Sequence, residues 1–457
     1  MNTELSRFAI IGVAIGYLVT MTWAMGNIAY DIWGALIVIP PMTVLTVLGV
    51  RRLFADQLPV LVVPMLCGFV LKLGGSAARY WIAFDVYGGA SDAGGYHDYG
   101  KAMAGTVWSG ENNLGSVLPA GTGTQFVQRF TSFAYTLFGS SKLGGFLLFG
   151  WLAFWGVAWF VKAACVGVPG LAQRRYAWLC VIAPSLVYWP SSIGKEALML
   201  CFLGLATYGI ALLLVRGAFL RPLIYTAIGI TGAALVRPHI AGVWLAAVVP
   251  ALLVALGRTL GRDQRRSGRG TEVLMLLAVV AMAGVALAIV GSFALRYLKP
   301  TDDETSVSQG ITAILEETTR RSDQGGSNFP PVFVSGPKDW PYAVVRTLTR
   351  PMLYEAHGVL QLLSAAEMTA QIGLCLLSWR RLAALPRSIV TIPFAAFAVT
   401  ALFVAGLAYT SFANLGILTR QKSLVFPFLL LIPCLPLPSR RVEPSPVEPQ
   451  RDLALVR

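Results

Sequence analysis

LGGFLLFGWLAFWGVAWFVKAAC, residues 143–165, is an apolar stretch long enough to cross a bilayer as a helix, and similar stretches recur along almost the whole chain. A membrane-spanning helix needs roughly 20 mostly apolar residues, and about twelve stretches approach that requirement. The sequence therefore predicts an all-α polytopic integral membrane protein with about twelve transmembrane helices, which together form one membrane domain over residues 1–437. The stretches lie near residues 8–26, 31–50, 58–77, 143–165, 177–192, 196–215, 222–237, 239–256, 272–293, 357–378, 389–409 and 423–437.

The composition agrees with this class of protein. Of the 457 residues, 56% are hydrophobic and 13% are charged, whereas a soluble domain carries about 25% charged residues. The first apolar stretch is too long for a removed signal peptide and lacks a small-residue cleavage site. We therefore expect it to remain in the protein as an anchor.

The net charge of +14 has a topological explanation that requires no nucleic acid partner. Basic residues concentrate in short connecting loops, which alternate with less basic loops. The positive-inside rule places the basic loops and both termini in the cytoplasm. We expect a multi-pass protein of the cytoplasmic (inner) membrane. The basic loop residues are Arg51, Arg52, Arg174, Arg175, Arg216, Arg221, Arg258, Arg262, Arg265, Arg266, Arg269, Arg380, Arg381, Arg387, Arg440 and Arg441.

Two long loops are predicted on the extracytoplasmic side, each containing a short helix. The loop at 79–142 includes an amphipathic segment, 125–138, which lies either on the membrane surface or against the core of the loop. The loop at 296–357 includes a short helix at 311–321, and we expect it to form a cap or a mobile lid. The tail at 438–457 has too few apolar residues to pack, so it is predicted to be a disordered cytoplasmic segment.

The first of these loops contains an acidic, histidine-bearing cluster formed by Asp92, His97 and Asp98. A carboxylate in this position has the chemistry to remove a proton from an acceptor hydroxyl or to hold a divalent cation such as Mg²⁺ or Mn²⁺. His97 is a candidate for either task. The alternative is a helix N-cap formed by one of the aspartates, followed by a solvated loop histidine.

Basic residues also gather at the predicted extracytoplasmic ends of several spans. Guanidinium and ammonium groups in such places bind phosphate oxygens, although single arginines are commonly membrane anchors. Lys195 is alternatively a simple partner of Glu196. Lys72 and Glu367 fall inside predicted spans, either as buried partners or because the span boundaries are misplaced. The candidates for binding a lipid-linked phosphate are Lys195, Arg237, His239, Arg350 and Arg420.

Four stretches within residues 80–250 resemble the GT-C superfamily of polyprenyl-phosphate-dependent membrane glycosyltransferases. In that superfamily an acidic residue in the first long outside loop is followed by tyrosine and small apolar residues. The acidic loop usually follows the first span there, whereas here two further spans precede it. The stretches that carry the resemblance are Asp92 with Tyr96, Tyr99, Ala102 and Ala104, then Tyr135–Ser141, Pro184–Glu196, and the glycine-rich span ending at Arg237-Pro238.

The resemblance implies a function. Asp92 would deprotonate an acceptor hydroxyl while a polyprenyl phosphate leaves the sugar, and the basic side chains would stabilise that phosphate. His97 and Asp98 would assist acceptor or metal binding. The implied partners are a polyprenyl-phosphate-linked sugar donor, a glycan or lipid acceptor, and membrane lipid. Related surface-polysaccharide polymerases and ligases are a rival interpretation, and a transporter or flippase and a non-catalytic envelope-assembly subunit are alternatives from other classes.

Overall fold

The computed structural model describes residues 2–57, 60–89, 91–216, 220–260 and 336–437, together with 284, 319, 320, 328–332 and 334. Within these residues the regular secondary structure is helical, and the only pairing of extended backbone is an isolated antiparallel bridge between Asn328 and Asn414. Most of the predicted helix at 311–321, most of the possible cap, and the tail at 438–457 lie outside the described residues.

The first half of the chain forms twelve described helices. In chain order they are α1 (Asn2–Asn27), α2 (Tyr30–Trp33), α3 (Ala35–Leu53), α4 (Val62–Trp81), α5 (Asp92–Trp108), α6 (Thr124–Phe138), α7 (Lys142–Gly167), α8 (Gln173–Ile182), α9 (Pro184–Tyr188), α10 (Lys195–Arg216), α11 (Leu220–Val236) and α12 (Pro238–Leu260). The described part of the second half contributes α13 (Trp340–Thr349), α14 (Val359–Leu377), α15 (Trp379–Ala383), α16 (Leu385–Thr391), α17 (Pro393–Ala408), α18 (Leu415–Lys422) and α19 (Phe426–Leu431).

Seven helical segments among the described residues are long and apolar enough to cross a membrane. An eighth is present if the pair Leu415–Lys422 and Phe426–Cys434, bent by 62°, is a single broken span. The fold is that of an all-helical polytopic membrane protein. The seven segments are Tyr30–Leu53, Val62–Val86, Lys142–Gly167, Lys195–Val215, Pro238–Arg258, Val359–Leu377 and Pro393–Ser411.

The predicted span at 177–192 is not one continuous helix, since α8 ends at Ile182 and the short α9 begins at Pro184. Proline lacks an N–H and disfavours helical geometry in the residue before it, and Ala183 accordingly has φ −59° and ψ 116°. Of the other predicted spans, 8–26 lies within α1, and 272–293 lies outside the described residues. The count of about twelve stays a prediction.

The break before α9 is held by two charged side chains that lie inside membrane helices. Lys72 of α4 is buried and donates from Nζ to the carbonyl oxygen of Leu186 at 2.5 Å. Glu367 of α14 accepts from the backbone N–H of Ser185 at 3.0 Å. Lys72 is therefore a buried partner of the broken helix and Glu367 a half-buried one. Together they bind backbone groups that lipid cannot satisfy.

The centre of the bundle is the pair α7 and α10, which pack closely through glycine. A Cβ on Gly156 would lie 2.3 Å from the carbonyl oxygen of Leu200, and one on Gly204 would lie 2.2 Å from that of Gly156. Small residues at such crossings allow backbones to approach directly. The tight pair fixes the start of α10, where Lys195 and Glu196 lie.

The two ends of the bundle differ in character. One end carries the predicted basic residues Arg175 and Arg381. Arg175 donates to Ser378 Oγ at 2.7 Å, and Arg381 donates to the carbonyl oxygen of Cys434 at 3.3 Å. The opposite end carries the start of α5 and the start of α10, together with the end of α4. The amphipathic helix α6 also packs there, with Phe126 buried against Phe202, which favours the core-facing interpretation of that segment.

Candidate functional site

A polar cavity of about 280 Å³ opens at the end of the bundle opposite the basic loops. It lies where the end of α4, the start of α5, the segment before α10, and α18 meet. Polar and ionisable groups gathered inside a membrane protein mark functional sites by default, because they are costly to keep there. The side chains that give the cavity its chemistry are Arg79, Ser91, Asp92, Lys195, Glu196 and Arg420.

Asp92 is placed by the start of α5. Ser91 has extended backbone, with φ −141° and ψ 153°, and Asp92 is the first helical residue. A carboxylate in a first helical turn is stabilised by the helix dipole. The Asp92 side chain is 72% exposed, and its Oδ2 lies 3.6 Å from Arg420 Nη2. It is therefore an accessible carboxylate beside a guanidinium.

Glu196 organises the basic residues around the cavity. Its side chain is buried, and Oε1 accepts from Arg237 Nη2 at 3.0 Å and from Arg420 Nη2 at 3.0 Å. Arg237 also donates from Nη1 to Gln421 Oε1 at 2.8 Å. A buried carboxylate is tolerated only when it is paired and hydrogen-bonded. This single side chain ties α10 to α18 and to the junction between α11 and α12.

Two helix starts contribute to the electrostatics of the cavity. Lys195 is the first residue of α10, and the preceding Ser192, Ile193 and Gly194 line the wall. The start of α5 at Asp92 lines the same space. The N-terminus of a helix carries partial positive charge and unpaired N–H groups, so both starts add to the attraction that the basic side chains exert on an anion.

Arg79 lines the cavity although it was not among the predicted site residues. Its Nη1 donates to Tyr188 Oη at 2.9 Å, and the guanidinium lies over the rings of Tyr188 and Trp189, 4.9 Å and 5.2 Å from their centroids. Its Nε and the Oγ of Ser91 are buried and have no hydrogen-bond partner among the described residues. In the sequence, Arg79 is an arginine at the end of a predicted span. Membrane anchors commonly occupy this position, so the sequence did not mark Arg79 as a site residue.

A second cavity of about 710 Å³ adjoins the first and is largely apolar. It is a groove between the end of α4 and the starts of α14 and α18. Arg79 and Tyr87 line both cavities, so the polar and apolar spaces meet at these two side chains. The arrangement suits an amphiphile with a charged head and a hydrocarbon chain. The apolar walls include Trp81, Val86, Trp189, Val359, Leu360 and Leu415.

His97 and Asp98 lie away from this cavity as the described residues outline it. His97 is buried, with Nδ1 hydrogen-bonded to Tyr135 Oη at 2.8 Å and Nε2 3.9 Å from Asp31 Oδ1. Burial lowers the pKa of His97 to about 4, although Asp31 opposes the shift. Asp98 is exposed. Their predicted roles in acceptor or metal binding gain no support from the geometry.

The five predicted phosphate ligands take four different positions. Arg420 and Lys195 line the polar cavity, whereas Arg237 reaches it only through Glu196. His239 is half-buried at the start of α12, two residues after Arg237. Arg350 is buried elsewhere, and donates from Nε to Glu355 Oε1 at 3.0 Å and from Nη1 to the carbonyl oxygen of Pro330 at 2.9 Å.

The residues of the cavity do not fit a Mg²⁺ or Mn²⁺ ion. Such ions prefer several carboxylate or carbonyl oxygens, and no group of three or more His, Cys, Asp or Glu side chains that could hold a metal is present in the described part of the chain. Of the two cavity carboxylates, Glu196 already accepts from two guanidiniums. The chemistry of the site is therefore that of an exposed carboxylate surrounded by cations.

No protein-family model, curated protein or solved structure matches the chain. The geometry of the two cavities is the basis for assigning a function.

Proposed function

We propose that the protein is a membrane glycosyltransferase that moves a sugar or oligosaccharide from a polyprenyl-(di)phosphate carrier to a cell-envelope acceptor. The supporting observation is the polar cavity that holds Asp92, Lys195 and Arg420 and shares Arg79 with an apolar groove. A lipid-linked sugar needs these two environments side by side. A GT-C-like fold with about twelve spans is part of the proposal.

The groove and the cavity divide the binding of the carrier between them. The isoprenoid chain lies in the groove, against Trp189, Val359 and Leu415. Its phosphate passes Arg79 and meets the cations of the cavity. Burial of apolar surface contributes roughly 25 cal/mol per Å², while charge-assisted hydrogen bonds to phosphate supply orientation.

The transfer step places Asp92 as the general base. The carboxylate removes the proton of an acceptor hydroxyl while the hydroxyl oxygen forms a bond to the anomeric carbon of the sugar. The bond from that carbon to the phosphate oxygen breaks, and its electron pair leaves with the polyprenyl phosphate. Lys195 and Arg420 stabilise the negative charge that develops on the leaving phosphate. The proton ends on Asp92.

The proposed site faces away from the cytoplasm. The cavity lies at the bundle end opposite Arg175 and Arg381, whose loops the positive-inside rule assigns to the cytoplasm. Both termini are then cytoplasmic, and the membrane is the cytoplasmic (inner) membrane. A surface-polysaccharide polymerase or ligase of related architecture would use the same cavity, and would differ by extending or transferring a chain rather than adding a single sugar.

The test is replacement of Asp92 by Asn in the full chain, with Asp98→Asn as the matched control, since Asp98 is exposed outside the cavity. Loss of a general base reduces the transfer rate by roughly 10²–10⁴-fold. We expect the envelope glycan to disappear in cells carrying Asp92→Asn at a normal protein level, while Asp98→Asn keeps it. An unchanged glycan profile with Asp92→Asn contradicts the proposal.

A second candidate, a transporter of a phosphorylated lipid, is favoured by one observation. Transporters use broken helices near the centre of the membrane, and the helix pair Leu415–Lys422 and Phe426–Cys434 is bent by 62°. Lys422, which ends its first half, is buried and donates to the carbonyl oxygen of Leu348 at 3.2 Å. Movement of a fluorescent prenyl phosphate between leaflets of proteoliposomes, retained in Asp92→Asn, would favour this function over transfer.

A further inference from the structure

We infer that Arg79 binds a second phosphoryl group. The site therefore prefers a carrier that is linked to its sugar through a diphosphate over a carrier that is linked through a monophosphate. This inference rests on the proposed function. Arg79 selects the carrier, whereas Asp92 acts in the transfer step.

The cations lie in a definite order along the path of the lipid. Arg79 lines both the apolar groove and the polar cavity, whereas Lys195 and Arg420 line the polar cavity among the described residues. A lipid whose chain lies in the groove must pass Arg79 before its head reaches the other two side chains. The site therefore offers two cationic positions in series, as the two phosphoryl groups of a diphosphate require.

The balance of charge around the cavity also favours a diphosphate. Around the cavity the described cations are Arg79, Lys195, Arg420 and, through Glu196, Arg237. Four cations against the two carboxylates of Asp92 and Glu196 leave an excess of two positive charges. A sugar diphosphate ester of a lipid carries two negative charges, and the corresponding monophosphate ester carries one. A ligand whose charge complements that excess binds better than one that leaves part of it unmatched, so the diphosphate is the better match.

The Arg79 guanidinium is held in one orientation at the junction of the two cavities. The rings of Tyr188 and Trp189 lie against it, and Nη1 donates to Tyr188 Oη, so its orientation is fixed. Arginine presents five N–H donors in a rigid fork. The buried Nε of Arg79 and the buried Oγ of Ser91 have no partner among the described residues, and both residues line the cavity. A phosphoryl group at this junction would satisfy both.

The experiment measures the affinity of the purified full chain in nanodiscs for three probes: the hexosyl ester of farnesyl monophosphate, the hexosyl ester of farnesyl diphosphate and inorganic pyrophosphate. The two esters carry one and two negative charges, and they are called the farnesyl monophosphate and the farnesyl diphosphate below. We expect the farnesyl diphosphate to bind about tenfold more tightly than the monophosphate, the ratio that one charge-assisted hydrogen bond supplies. Pyrophosphate has no chain for the groove, so we expect it to bind more weakly than the farnesyl diphosphate.

Variants of Arg79 test whether this residue causes the preference for the diphosphate. Arg79→Ala is expected to bring the affinity ratio of the two farnesyl probes close to one, and Arg79→Lys, which keeps the charge without the fork, to leave an intermediate ratio. Arg129→Ala is the control, because Arg129 lies on α6 outside both cavities as the described residues outline them. If Arg79→Ala fails to fold, the affinity ratios of the wild type and of Arg79→Lys still test the inference.

The outcomes separate the inference from the proposed function. If both farnesyl probes bind with equal affinity, or if the preference survives in Arg79→Ala, the inference is overturned and the proposed function stands. If neither farnesyl probe binds, both are overturned. Pyrophosphate binding as tight as that of the farnesyl diphosphate would indicate a site for free anions and would also overturn both.

Discussion

Arg420 and Arg350 lie in two regions that look alike in sequence and differ in structure. In the clamp formed by Arg346, Arg350 and Glu355, the Arg350 side chain is 9% exposed, its Nε donates to Glu355, and its Nη1 donates to the carbonyl oxygen of Pro330. In the polar cavity, the Arg420 side chain is 30% exposed and lies between Asp92 and Glu196. A basic residue at the rim is thus a candidate ligand only where the fold leaves space beside it.

The largest effect is expected from Glu196→Ala. This change leaves Arg237 and Arg420 without their shared buried carboxylate, and breaking a buried pair in this way costs about 3–5 kcal/mol. The free energy of unfolding, followed by titration with sodium dodecyl sulfate in mixed micelles, measures the loss. The control is Glu111→Ala, an exposed residue in the loop after α5, with an expected change close to zero. Equal stability of the two variants would mean that Glu196 does not organise the cavity.

The next effect separates the two regions directly. Arg350→Ala removes one of the two arginine partners of Glu355, since Arg346 Nη2 remains at 2.7 Å. We expect it to lower the free energy of unfolding by about 1–3 kcal/mol while the affinity for farnesyl phosphate stays unchanged. Arg420→Ala is expected to weaken that affinity about 10- to 100-fold, the equivalent of one charge-assisted hydrogen bond. If Arg350→Ala weakens binding as much as Arg420→Ala does, the distinction between clamp and cavity is wrong.

The membrane fold was predictable because twenty apolar residues in a row have few other stable states. The break at Ala183 was not predicted as such, although Pro184 supplies its cause. The convergence of Asp92, Lys195 and Arg420 on one space was predicted from their shared rim, and the structure brings these three together. The roles of Glu196 and Arg79 depend on partners distant in sequence, such as Gln421 and Tyr188, and spacing alone does not reveal these.

The histidine beside Asp92 shows a second limit of sequence reasoning. Asp92 and His97 are close in the chain and were expected at one rim. Because α5 begins at Asp92 and a helix turns about 100° per residue, five residues place two side chains on different faces. Asp92 accordingly lines the cavity, while His97 is buried against Tyr135 and near Asp31. Closeness in the chain therefore did not give these two side chains the same neighbours, because the direction of the helix decided them.

The smallest effect concerns this buried histidine. Burial lowers the pKa of His97 from 6.5 to about 4, so between these values the unfolded chain binds a proton that the folded protein does not. Stability must then fall as the pH is lowered through this window. We expect His97→Gln to flatten that part of the unfolding profile, measured in the same micelles from pH 7 to pH 4. His357→Gln is the control, and a profile that is identical in wild type and His97→Gln would assign the pH dependence to other groups.

The most direct measurement is a cryo-EM map of the full chain in nanodiscs with farnesyl diphosphate. We expect phosphoryl density within hydrogen-bonding distance of Lys195 and Arg420, with the isoprenoid density extending past Arg79 into the groove beside Trp189. Density for the phosphates at Arg350, or at any place that leaves Lys195 and Arg420 without contact to the ligand, would contradict the assignment of this cavity as the site of a lipid-linked phosphate.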